Sequence, residues 1–212
     1  VIFDEVHFID DAARGTVWEE SIIFAPSHIQ FVCLSATIPN LDNIAAWISS
    51  VRKTTVETIS ENKRVVPLYH HYYVPGEGVV TSGQLKKIIN QHNHKHKDRR
   101  QRFHFDWYEV IDWVKKQDHL PAIYFVFSRK VVEEYAFKCR KTYFLSNADS
   151  QKARDLYMSY LEKYDLMSNA NALKLADLVA NGIAFHHAGM IPTMKEVVER
   201  MFTSGYIKLV FA

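Results

Sequence analysis

Asp4-Glu5-Val6-His7 directly follows an apolar run, Val1-Ile2-Phe3, that reads as the end of a buried strand. Two adjacent acids at a strand tip suit phosphate chemistry. One carboxylate can hold a magnesium ion through water, while the second orients or deprotonates the water that attacks a γ-phosphate. Taken alone, an acidic pair after a strand is more often a solvated turn. Ser35-Ala36-Thr37 changes that balance, because it ends the next expected strand, residues 29–34, and would stand beside the acids on one sheet edge. Hydroxyls there can relay the state of a phosphate to other groups. By itself the triplet reads more readily as a small-residue turn that caps the following helix.

The second half of the chain offers further candidates. Ser128 and Arg129 fall where a strand becomes a helix, and the amides of a helix N-terminus favour a phosphate. The plain alternative is an N-cap followed by a solvated arginine. His186 and His187 have no acidic or thiol partner at ligand spacing, and neighbours on a strand point to opposite faces. A structural or RNA-proximal role therefore outweighs metal ligation. The alternating His92, His94 and His96 lie in a basic tract, residues 91–102, with Lys95, Lys97, Arg99, Arg100 and Arg102 against the single acid Asp98. That tract reads as an exposed, mobile linker with a weak electrostatic pull on nucleic acid.

The elements that must position these groups alternate in type. Helical spacing covers residues 16–24, ended by Pro26, and recurs at Leu41, Ile44, Ala45 and Ile48. Residues 54–59 alternate as a strand does. The polar stretch 60–64 followed by Pro67 reads as a hinge, after which 68–74 suits a strand and 76–83 a loop. From Trp107 the order is helix 107–117, strand 122–127, helix 129–141, a helical insertion within 150–181, strand 183–186, helix 193–203 and strand 207–211. Strands alternating with helices imply an α/β fold with parallel sheets flanked by helices.

Bulk properties exclude little beyond disorder. The 212 residues are 48% hydrophobic and 24% charged, enough apolar content for packed cores. The formal net charge of +2 neither demands nor excludes a nucleic-acid partner. Cys33 and Cys139, two isolated thiols, make neither a disulfide framework nor a zinc site, and fit a reducing, cytoplasmic setting, with a nuclear one open. No apolar run approaches membrane-spanning length. Val1 opens inside one apolar run and Ala212 closes inside another, so both ends read as cut.

In combination and order, these segments resemble the superfamily-two DExH-box helicases, and among them the superkiller and exosome-associated RNA helicases. Asp4 to His7 matches motif II, and Ser35 to Thr37 matches motif III. Arg14-Gly15-Thr16-Val17-Trp18-Glu19-Glu20 resembles the group's Arg-Gly-x-x-Trp-Glu-Glu stretch, which discriminates better than the DExH box. Residues 123–129 resemble motif IV, residues 182–190 its His-His-Ala/Ser-Gly segment, and Val65-Val66-Pro67-Leu68 its lobe-joining segment. Only residues 76–102 lack a counterpart.

The resemblance implies two RecA-like lobes, both incomplete: residues 1–62 from the first, a hinge at 63–67, and 68–212 from the second. It implies that Asp4 holds Mg²⁺ with ATP, Glu5 is the general base, His7 couples the site to the other lobe, and Ser35 with Thr37 links hydrolysis to movement. Asp4 and Glu5 are thus the expected nucleotide and metal residues. Ser128, Arg129, His187 and Gly189 are the expected nucleic-acid contacts, with RNA favoured over DNA and an RNA-decay complex as partner. A phosphate loop is missing, since none of the seven glycines is followed by lysine, and so is the paired glycine-arginine segment that carries the arginine finger. The 212 residues alone are therefore expected to be inactive. A DNA-repair helicase of the related archaeal type and a degenerate, non-hydrolysing scaffold are the competing readings.

Overall fold

The computed structural model describes residues 1–11, 14–36, 38, 40–95 and 106–212. It divides into two compact units, Val1–Tyr69 and His70–Ala212. Thr37 lies outside the described residues, as does the part of the basic tract from 96 to 102.

In the first unit, β1 (Ile2–Phe3) pairs in parallel with β2 (Val32–Cys33) in the register Ile2 to Val32 and Phe3 to Cys33. The pairing continues past both short strands, because Val32 N–H donates to Val1 O and Leu34 N–H to Phe3 O at 2.9 and 2.7 Å. A 3₁₀ turn, Val6–Asp10, leads into α1 (Gly15–Phe24), and α2 (Leu41–Arg52) follows β2. Buried apolar side chains are few here: Val6, Ile22 and Ile48.

Arg52 compensates for that thin core. Its guanidinium donates to the carbonyls of Ile22, Pro26 and Ile29 at 3.4, 2.7 and 3.2 Å, and also to that of Ala25. It also lies over the Phe31 ring at 5.0 Å. One cation thus satisfies the orphan carbonyls at the end of α1 and fixes the loop into β2.

The strand expected at 54–59 does not form. Its alternation is real, but no neighbouring strand pairs with it among the described residues, and Ile59 is 94% exposed. An extended segment without a ladder has nowhere to send its backbone hydrogen bonds except water.

In the second unit, residues 76–83 are not simply a loop. β3 (Tyr72–Val74) and β4 (Gly78–Val80) form an antiparallel hairpin, with Gly76 and Gly78 at φ +84° and +78° supplying the turn. The basic tract also begins inside a helix, α3 (Ser82–Lys95). Leu85, Ile88 and Ile89 at helical spacing carry that helix on toward residue 95, so the first part of the expected mobile linker is helical.

The core of this unit is a three-stranded parallel sheet in the order β5 (Ala122–Tyr124), β7 (Leu209–Phe211), β6 (Ile183–Phe185). The central strand β7 and the edge strand β6 are buried along their whole length. Helices α4 (Trp107–Lys116), α5 (Arg129–Lys138), α6 (Asn147–Lys163), α7 (Ala170–Ala180) and α8 (Pro192–Thr203) contribute the rest of one continuous apolar cluster.

The expected single insertion is two helices, and the reason is local. Asp165 sits at φ +55°, and Asn169 caps α7 by accepting from the amides of Asn171 and Ala172, both at 3.0 Å. Ser146 and Asp149 cap α6 reciprocally: Asp149 N–H donates to Ser146 Oγ at 3.1 Å and Ser146 Oγ–H to Asp149 Oδ2 at 2.8 Å. The buried Tyr157 hydroxyl donates to Ala172 O at 2.8 Å, tying the two helices together.

Candidate functional site

Two groups of candidate residues stand at the carboxyl ends of parallel strands, one in each unit. In the first unit, the parallel register of β1 and β2 brings Asp4, Glu5 and Ser35 to the same sheet edge. Val6 N–H donates to Leu34 O at 2.9 Å, which binds the acidic turn to the end of β2. Asp4 Oδ1 accepts from Glu5 N–H at 2.9 Å, and Glu5 occupies the left-handed region at φ +55°. A non-glycine residue held there costs on the order of 1 kcal/mol or more, so the surrounding bonds must fix this turn.

His7 Nδ1 lies 3.1 Å from Glu5 Oε2, within ion-pair range. The contact falls outside hydrogen-bond geometry, so this enclosed nitrogen makes no hydrogen bond among the described residues. Ser35 Oγ donates to Ala36 O at 2.8 Å, and no hydrogen bond joins it to Asp4 or Glu5. The edge therefore assembles the acids and the serine as neighbours, with the serine hydroxyl turned to its own backbone.

The arginine-glycine-tryptophan stretch supports this edge directly. Arg14 pairs with Asp11 at 3.0 Å and lies over the Phe8 ring at 4.4 Å, which anchors the 3₁₀ turn that carries His7. Gly15 packs so tightly on that turn that a Cβ would come within 2.2 Å of Ile9 O. Trp18 meets Phe3 edge-on at 5.4 Å, and Phe3 stacks on Phe31 at 5.2 Å, fixing the strand before the acids.

Asp4 offers hard oxygen donors, one already engaged by a backbone amide, and Glu5 stands next to it; this donor set suits Mg²⁺ held largely through water. Among the described residues no group of three or more His, Cys, Asp or Glu converges as a metal cage.

In the second unit, Ser128 is the N-cap of α5 and makes no capping bond with its side chain. His187 and Gly189 follow β6 in the loop to α8, and the Arg129 side chain comes close to Gly189: a Cβ there would lie 3.5 Å from Arg129 Cδ and 3.1 Å from His187 Nδ1. The fold thus brings Arg129, His187 and Gly189 together, with Ser128 beside them.

The two histidines do have acidic partners, though none at ligand spacing in the sequence. His186 Nε2 lies 2.9 Å from Glu199 Oε1, and His187 Nε2 lies 2.9 Å from Glu133 Oε1. Neither glutamate is near them in sequence, so only the packing of α5 and α8 against β6 reveals the pairs. The Gly189 amide is not open to an external acceptor, because it donates to His187 Nδ1 at 3.1 Å. Glycine serves here by leaving room for the imidazole and the arginine stem. Glu133, Phe137, Phe185, His187 and Met190 border a small cavity of about 180 Å³ beside this loop.

Parallel α/β units with acids at one strand edge in the first, and an arginine at a helix N-terminus in the second, fit a partial RecA-like fold. Comparison narrows it. No family model matches the chain. The Saccharomyces cerevisiae "Antiviral helicase SKI2" is 29% identical, aligned over 100% of this chain and 22% of that protein. The Arabidopsis thaliana "DExH-box ATP-dependent RNA helicase DExH11" is 30% identical over 100% of this chain and 20% of its own length. The human "Exosome RNA helicase MTR4" is 28% identical over 100% and 22% respectively. From end to end, the chain resembles the superkiller and exosome-associated DExH-box helicases, and it spans about a fifth of the length of these relatives.

Proposed function

We propose that this chain is part of an ATP-dependent RNA helicase acting in RNA decay or processing. The observation that supports it best is the parallel register of β1 and β2, which sets Asp4-Glu5 and Ser35 side by side in a chain similar throughout to RNA helicases. Residues 1–62 then belong to one motor lobe and 68–212 to the other, joined at 63–67, with an RNA-decay complex as the partner and the cytoplasm or nucleus as the setting.

Each residue's role is carried over from the family resemblance, and the surroundings described above are compatible with it. Asp4, with its turn fixed by the Glu5 amide, would hold Mg²⁺ with the phosphates of ATP, and the ion would supply charge neutralisation there. Glu5 takes the proton from the attacking water, and His7, beside it at 3.1 Å, senses its charge. Ser35 and Thr37 link the state of that edge to movement. Arg129 at the start of α5 meets a phosphate of the RNA, with Ser128, His187 and Gly189 shaping its surroundings. RNA is favoured over DNA because two of the three relatives named above are called RNA helicases.

In the full-length protein, Glu5→Gln should lower RNA-stimulated ATP turnover by about 10²- to 10⁴-fold while nucleotide binding persists. Turnover within twofold of the parent would remove Glu5 from the chemistry, and equal stimulation by DNA would favour the repair-helicase reading. The 212 residues alone, which contain no phosphate loop, should show no ATPase activity above background.

A further inference from the structure

Helix α5 begins with Arg129 and carries Glu133 one turn later, a spacing at which arginine and glutamate commonly pair across a helix surface. They do not pair here. Glu133 Oε1 lies 2.9 Å from His187 Nε2, and the Arg129 guanidinium makes no hydrogen bond or ion pair with any described residue.

The histidine is set for this task by its second nitrogen. Gly189 N–H donates to His187 Nδ1 at 3.1 Å. A backbone amide can only donate, so Nδ1 is bare and the ring proton sits on Nε2, aimed at Glu133. Phe185 stacks against the imidazole at 5.7 Å with 10° between the planes, and the histidine side chain is only 10% exposed. The ring therefore has a fixed tautomer and a fixed orientation, and it draws the carboxylate toward the β6 end of the sheet.

We propose that Glu133 is a positioning residue, which His187 holds away from Arg129 so that the guanidinium stays uncompensated for a phosphate of the bound strand. This rests on the reading of Arg129 as an RNA-backbone contact. An unpaired guanidinium offers its full charge and its donor fork to a phosphate, whereas a carboxylate one turn away would compete for both.

The test measures binding of a fluorescent single-stranded RNA to the full-length protein over a range of salt concentrations. Arg129→Ala should weaken binding and lower the salt slope by about one. His187→Ala releases Glu133 onto Arg129 and should weaken binding about fivefold, with a similar loss of slope. Adding Glu133→Gln to His187→Ala should then restore affinity to within about twofold of Glu133→Gln alone. A double variant as weak as His187→Ala, or a His187→Ala protein that binds normally, overturns the proposal. If His187→Ala does not fold, His187→Phe supplies the second arm. It keeps a ring against Phe185 but cannot donate to Glu133, so it should also weaken binding about fivefold, and a loss not relieved by Glu133→Gln overturns the proposal equally. No effect of Arg129→Ala would instead remove the RNA-contact reading itself.

Discussion

The two units solve the same problem with different materials. The second, His70–Ala212, buries the whole of β6 and β7 inside one apolar cluster built from five helices. The first, Val1–Tyr69, leaves Ile2, Val32 and Leu34 exposed on its two-stranded sheet and buries few side chains. Its acidic edge is held by directional contacts instead: the Arg52 clamp on four carbonyls, the close approach of Gly15 to Ile9, and Arg14 on Phe8. Non-directional burial can absorb small changes by repacking, whereas a carbonyl clamp or a glycine contact has one geometry. The first unit should therefore fail at a few specific residues, and the second in proportion to the volume removed.

Chemical denaturation can break or sharpen that contrast. The largest effect should come from Phe211→Ala, since this fully buried ring contacts Trp107, Tyr124 and Tyr135; a loss of about 3–5 kcal/mol is expected. In the 212 residues alone, Ile2→Ala, an apolar truncation at a 69% exposed position of the first unit, should cost under about 0.5 kcal/mol. Equal costs would erase the difference between the units.

Arg52→Met keeps the stem and deletes the donors, and should destabilise the first unit by about 1.5–3 kcal/mol, the scale of hydrogen bonds to a charged group. Gly15→Ala should cost about 1–3 kcal/mol, because its methyl group can be admitted only by shifting the 3₁₀ turn under Glu5 and His7. Both changes should also depress turnover in the full-length protein; a stable, fully active Gly15→Ala protein would show that the turn can yield.

A smaller effect is specific to the second unit. Burial pushes the Cys139 thiol from its ordinary 9.0 up to about 12, and raises the Tyr157 hydroxyl as well. A raised folded value contributes stability that is present below the unfolded value and lost as pH rises toward the folded one. The second unit should thus weaken between about pH 9 and 12, and Cys139→Ala should flatten that slope. Smallest of all, a thiol reagent at neutral pH should modify the exposed Cys33 well before the buried Cys139; simultaneous labelling would mean that the second core opens readily.

Much of this was legible in the sequence, and the exceptions have physical causes. Helical periodicity at Trp18 and Ile22, at Ile44 and Ile48, and across residues 193–203 gave helices close to those observed, because a buried helix face imposes its spacing on the chain. Alternation at residues 54–59 gave a strand that is not there, since a strand exists only when another strand pairs with it. The first strand of the hairpin at 72–80 falls within the expected strand 68–74, but the second was read as loop, because three residues beginning with Gly78 are too short to show an alternating pattern.

The candidate site divides along the same line. Residue type and order singled out Asp4, Glu5, Ser35, Ser128 and Arg129, because carboxylates, hydroxyls and guanidinium groups carry their chemistry wherever they stand, whereas His7, His187 and Gly189 were named by the resemblance to the helicase family. The partnerships were decided by tertiary structure alone: His187 with Glu133, 54 residues away, and Arg52 with the carbonyls after α1, more than 20 residues back. Local sequence determines what a side chain can do and which element it favours. Which donor meets which acceptor depends on how helices pack on a sheet, and that packing is set by contacts distant in the chain.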